Sequence, residues 1–189
     1  MRLLSLLAFL PLLVAAQVTL PEDALSGLAI HLKDESGNAV YVHESEFDKY
    51  GIVLQANPGT NSTNQTSLAK RGPPKDYRLC DEPVIDVEDL RNGLIDFADS
   101  LACGTGVVPD RFAPYTYVAI SWYHGSTVLY ICNYWETSAI YSGPDLVDYV
   151  SLAFNYCGMG NKAAWYHVGG ADISYGYTNV KNWFCGVPV

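Results

Sequence analysis

The stretch YTYVAISWYHGSTVLYICNYW, Tyr115–Trp135, decides the fold. Two runs rich in β-branched and aromatic residues flank Gly125-Ser126, and a two-residue turn with glycine first is a strong hairpin signal. Such a turn sets His124 opposite Thr127, Trp122 opposite Leu129 and Ile120 opposite Ile131. Side chains alternate across a strand, so Trp122, Leu129, Ile120 and Ile131 make one apolar face suited to cover by helices. The other face carries Tyr117, Tyr123, Tyr130, Cys132 and Tyr134.

Helical patterns stand on both sides of this hairpin. Upstream, Val87, Leu90, Leu94, Phe97 and Leu101 fall at helical spacing, with Asp86 as N-cap and Gly104 as a stop. Downstream, Pro144 suits a first turn, Leu146, Val150, Ala153 and Cys157 share a face, and Gly158 ends the pattern. AAWYHV (163–168) reads as a third strand, Gly169-Gly170 as a turn, and DISYGYTNVKNWFCG (172–186) as a final strand or extended segment. The expected class is α+β, with two helices packed on one face of a small antiparallel sheet.

Outside this region the chain changes character. MRLLSLLAFLPLLVAAQ opens with one positive charge, a short apolar run and small residues, the pattern of a secretory signal peptide over 1–16. The run is shorter than the roughly 20 residues a membrane span needs, so no membrane insertion is expected. NPGTNSTNQTS (57–67) has nothing to bury and reads as a linker, with glycosylation sequons at Asn61 and Asn64. Lys70-Arg71 follows at once. A dibasic pair on an accessible segment reads as a processing site similar to fungal kexin-type cleavage, making 17–71 a propeptide and 72–189 the mature domain. Within 17–71, LAIHLKDESGNAVYVHESEF alternates around Ser36-Gly37-Asn38 and suggests a short hairpin, which alone is marginal in water and needs the main domain as partner. The linker then reads as the boundary between a disposable leader and the working domain.

All five cysteines, Cys80, Cys103, Cys132, Cys157 and Cys185, lie beyond Arg71. In an exported chain they read as a disulfide framework, without C-x-x-C metal spacing. Cys80, Cys103, Cys157 and Cys185 are expected to staple helix ends and termini, with their pairing left open. Cys132 points away from the helix-covered face and is expected to be the free thiol, available for a disulfide-linked dimer.

The net charge is −9, which argues against nucleic acid as a partner. A ribonuclease-like hydrolase has its acid–base candidates in His124, Glu136 and His167, but no arginine follows Glu136 to hold a phosphate. As ordinary residues, His124 belongs to a turn and His167 to a strand on a wet edge. No metal or cofactor site is expected. Tyr117, Tyr123, Tyr130 and Tyr134 are either covered by the final strand and N-terminal segment or form a binding face.

With VLYICNYW (128–135), FNYCG (154–158) and ISYGYTN (173–179), the chain resembles small secreted cysteine-rich proteins of filamentous fungi. Its plan is similar to the killer-toxin-like α/β-sandwich. That resemblance implies a secreted effector or toxin-like binding protein without evident catalytic site, acting on a host or competitor surface protein or glycan. Related proteins often carry a further cysteine just after the ICNY block; here 138–144 has none, which leaves Cys132 without that partner. A self-associating surface protein is the third reading.

Overall fold

A computed structural model describes residues 20–33, 36, 38–50, 52, 76–102, 106–107, 116–134, 140–157 and 161–185. The signal-peptide pattern, Asn61, Asn64, Lys70, Arg71, Cys103 and Glu136 lie outside the described residues, as does the Tyr117 side chain.

The elements in chain order are β1 (Gly27–Lys33), β2 (Ala39–His43), a 3-10 turn (Glu44–Glu46), α1 (Phe47–Tyr50), β3 (Tyr77–Val84), α2 (Val87–Ala102), β4 (Gly106–Val107), β5 (Thr116–His124), β6 (Thr127–Asn133), β7 (Ile140–Tyr141), α3 (Gly143–Tyr156), β8 (Lys162–Val168) and β9 (Ile173–Asn179). Seven strands form one antiparallel sheet in the order β2-β1-β5-β6-β9-β8-β3, and β4 pairs with β7 separately. The chain is therefore of the α+β class.

The β5–β6 register is the expected one: His124 faces Thr127, Trp122 faces Leu129 and Ile120 faces Ile131. Gly125 takes φ +58°, a conformation that favours glycine, at the first position of the turn. Helix α2 grips this turn from outside. The Asp89 carboxylate accepts hydrogen bonds from Ser126 N (2.6 Å) and Ser126 Oγ (2.7 Å), and these bonds hold its pKa below the ordinary carboxylate value. One turn earlier Asp86 Oδ1 accepts from Glu88 N (2.8 Å) and Asp89 N (3.1 Å), the N-cap the sequence predicts. Ser142 caps α3, with Pro144 in its first turn.

Leu90, Phe97 and Leu101 of α2 and Leu146, Val150 and Ala153 of α3 join one apolar core with Ile120, Leu129, Ile131 and Tyr177. Val87, assigned to the same stripe from its spacing, is instead 38% exposed, because the helix begins there. The alternate residues of the strands, Ala119, Val128, Tyr130 and Cys132, belong to a second cluster closed by Phe184 and Cys185.

Two sequence expectations need correction. Cys132 is not a free thiol: it is bonded to Cys185, and Cys80 is bonded to Cys157. The register argument placed Cys132 on the correct side of the sheet. What it lacked was the segment after β9, which turns back from Val180, whose N–H donates to Ser126 O, and lays Cys185 over that side. A Cys132-linked dimer therefore has no sulfur to use.

The second correction concerns His167, which is 1% exposed rather than on a wet edge. β3 pairs with β8 and becomes the edge strand in its place. Its sequence, YRLCDEPV, hides this role: charges, a proline and a register shift between Cys80 and Val84 suit an edge and leave no alternation to read.

The hairpin within 17–71 is expected to need the main domain as partner. It exists, and β1 pairs along β5 from Gly27–Tyr123 to Lys33–Thr116. Leu28, Ile30, Leu32 and Val42 are core residues at 1% exposure or less. This segment is part of the sheet.

Candidate functional site

The side of the sheet that carries Cys132 is unusual in what it buries. The segment Val180–Cys185 crosses it as a strap, fixed by the Cys132–Cys185 disulfide and started by an Asx turn in which Asn179 Oδ1 accepts from Lys181 N (3.0 Å). Phe184 on the strap stacks on Tyr130 of β6, with ring centroids 4.9 Å apart and planes inclined at 18°. Tyr130 in turn lies across β9 toward Trp165. Only glycine at 176 permits this: a Cβ there would stand 2.6 Å from the Tyr130 ring and 2.7 Å from Trp165 Cβ.

Beside this stack is a depression of about 70 Å³, floored by Tyr130 and Thr178 and rimmed by Tyr134, Trp165, Trp183 and Asp81. Trp183 is 48% exposed, and the Thr178 hydroxyl is buried without a hydrogen-bond partner among the described residues. Burial, then the neighbouring Tyr134 and Asp81, push the Tyr130 phenol well above its ordinary pKa, so it remains a neutral hydroxyl. Aromatic faces and one carboxylate suit a ligand with apolar or cationic edges. The volume holds a side chain or part of a sugar, not a large cofactor.

Of the four tyrosines proposed as a binding face, Tyr130 is buried under Phe184, whereas Tyr134 reaches the rim of the depression and Tyr123 is half-buried. Sequence reasoning missed Trp165, Trp183, Asp81 and Thr178. Trp165 and Thr178 were legible as same-side neighbours once β8 and β9 were paired; Trp183 and Asp81 follow from the strap and the edge strand, which have no period.

The structure does not bring His124 and His167 together. His124 points to the α2 side, where its Nδ1 lies 3.3 Å from Asp96 Oδ2. His167 has the parity of Ser174 and Cys132 and points to the strap side. A single substrate cannot meet both.

His167 has neighbours that resemble a nucleophile relay in composition: its Nδ1 is 3.1 Å from Ser174 Oγ and its Nε2 is 3.5 Å from Asp172 Oδ1. A nucleophile must reach an acyl carbon, however, and Ser174 has no exposed surface. Burial lowers the His167 pKa, with Asp172 and Asp76 opposing, so the ring is a neutral structural bridge. Among the described residues no group of three or more His, Cys, Asp or Glu is placed to hold a metal ion, and no helix is long and apolar enough to cross a membrane. No protein-family model, curated protein or solved structure matches the chain.

Proposed function

We propose that this chain is a secreted, proteolytically processed, effector-like or toxin-like binding protein that engages its target through the aromatic depression under the strap. The reading places it with the small secreted cysteine-rich proteins of filamentous fungi, as an α/β-sandwich with α2 and α3 on one face of the sheet and the strap on the other. The observation that carries it is the depression itself: Trp183 is held half-exposed at a rim with Asp81, over a floor containing the unpartnered Thr178 hydroxyl. A protein that only had to close its sheet would turn the indole inward. The two disulfides suit an oxidising compartment, which supports export.

The target is a surface protein or glycan of a host or competitor cell. Purified protein applied to intact cells should bind saturably, and Trp183→Ala should weaken binding roughly tenfold or more while leaving the thermal transition unchanged. Equal binding by Trp183→Ala and Asp81→Asn variants would remove the depression as the site. Processing is tested separately by the intact mass of the secreted product, which should show a new chain beginning at Gly72.

A further inference from the structure

The upstream hairpin and the strap belong to opposite ends of the sequence, yet they touch. His31 of β1 is buried, its Nε2 lies 2.8 Å from Ser121 Oγ, and its ring meets Phe184 edge-on at 5.2 Å and 88°. Phe184 is the ring stacked on Tyr130 at the wall of the depression. A residue upstream of the dibasic pair therefore supports the wall of a site built from residues downstream of it.

Nothing covalent would maintain that support after scission. Both disulfides join residues beyond Arg71, and the chain before Lys70 contains no cysteine. The non-covalent seat is nevertheless extensive. β1 is a full interior strand, hydrogen-bonded to β2 on one side and β5 on the other, and Leu28, Ile30, Leu32, Val42, Phe47 and Ile52 extend the core. Removing it would turn β5 into a bare edge, leave apolar residues facing water and take from Ser121 the histidine it faces.

We propose that scission after Arg71 yields a two-chain protein, in which the hairpin segment remains seated on β5 as a small subunit and its His31 holds Phe184 in place at the ligand-binding depression. This rests on the processing reading given above, and it assigns the segment a retained role: a piece of the binding module delivered on a separate chain.

The test uses the full purified chain, cut with a dibasic-specific protease and run on native, non-reducing size exclusion with intact-mass analysis of each fraction. The fragment ending at Arg71 and the one beginning at Gly72 should co-elute at equal stoichiometry and separate in denaturant without reductant. A folded 72–189 fragment eluting alone, with the upstream piece among small peptides, overturns the proposal while leaving processing intact. A single uncut mass removes the processing reading and the proposal with it. Ile30→Asp should shed the upstream fragment from the cut protein, and Leu25→Asp, at a position 57% exposed, should retain it. In cut His31→Ala protein with both chains present, hydrogen exchange over Val180–Cys185 should rise about tenfold. Unchanged exchange there refutes the link from His31 to the strap.

Discussion

The two sides of the sheet are closed in different ways. On one, Ile120, Leu129, Ile131, Tyr175 and Tyr177 belong to a continuous apolar core that also contains buried residues of α2 and α3. On the other, the buried set includes His31, Ser121, His167, Ser174 and Thr178, and the cover includes a short strap held by a disulfide. The first side derives its stability mainly from area and packing, although it also encloses tyrosine hydroxyls, that of Tyr177 without a hydrogen-bond partner among the described residues. The second buries hydroxyls and imidazoles that must find each other, and it leaves one hydroxyl unanswered beside exposed aromatics.

The sharpest way to test this division is to damage each side in turn. Phe97 is fully buried on α2 and stacks against Trp122 at 6.1 Å. Phe97→Ala should cost about 3–5 kcal/mol in denaturant unfolding, with transitions by fluorescence and circular dichroism still coincident. A loss under 1 kcal/mol would mean that this side is not the cooperative core.

Cys185→Ser should cost somewhat less, about 2–4 kcal/mol, by freeing a connection across 53 residues of sequence. Its distinguishing result is local: cell binding should fall with the strap, while the Cys80–Cys157 bond still forms. If Cys80→Ser abolishes binding and Cys185→Ser spares it, the functional assignment of the two sides is reversed. Gly176→Ala comes next, at about 1–3 kcal/mol, because its methyl group displaces Tyr130 or Trp165. Binding should be lost beyond what that stability change explains. Wild-type binding would show that the Tyr130 stack is not part of the site.

The same division explains how much could be read from sequence. The core side announces itself: the β5–β6 turn, the Asp86 cap and the i, i+3, i+4 stripes all express local rules that tertiary structure respected. So does the parity that put Cys132 on the strap side. The strap itself, VKNWFC (180–185), has no period, and its position depends on a disulfide whose partner is 53 residues away. β3 was hidden because an edge strand need satisfy only one neighbour and carries the charges that discourage another. Hence Trp165 was visible as a strand residue, but its meeting with Trp183 and Asp81 was not. The upstream hairpin was legible as a hairpin that needs the main domain as partner, but its place inside the sheet, with β1 between β2 and β5, was not.

Acid sensitivity gives the smallest of these effects per step. The part of it carried by buried histidines belongs to the second side. His31 is enclosed by Ser121, Tyr41 and Phe184, and burial lowers its pKa from the ordinary 6.5 to about 3. Between those values the unfolded chain takes up a proton that the folded chain refuses. Stability from this group is therefore complete above about pH 6.5 and declines as pH falls, by about 1.4 kcal/mol or tenfold in the folding constant per pH unit, until about pH 3. His167 shifts in the same direction and adds to the decline. Carboxylates titrate in the same window, so the measurement must be a difference. Denaturant unfolding of wild type and His31→Gln at pH 7, 6, 5 and 4 supplies it, since glutamine can still bond Ser121 but does not titrate. The gap between the two curves should narrow steadily toward acid as the wild type loses its advantage. Parallel curves would show that His31 is protonated in the fold or open to water. The strap side would then lack the enclosed imidazole that links the hairpin to Phe184.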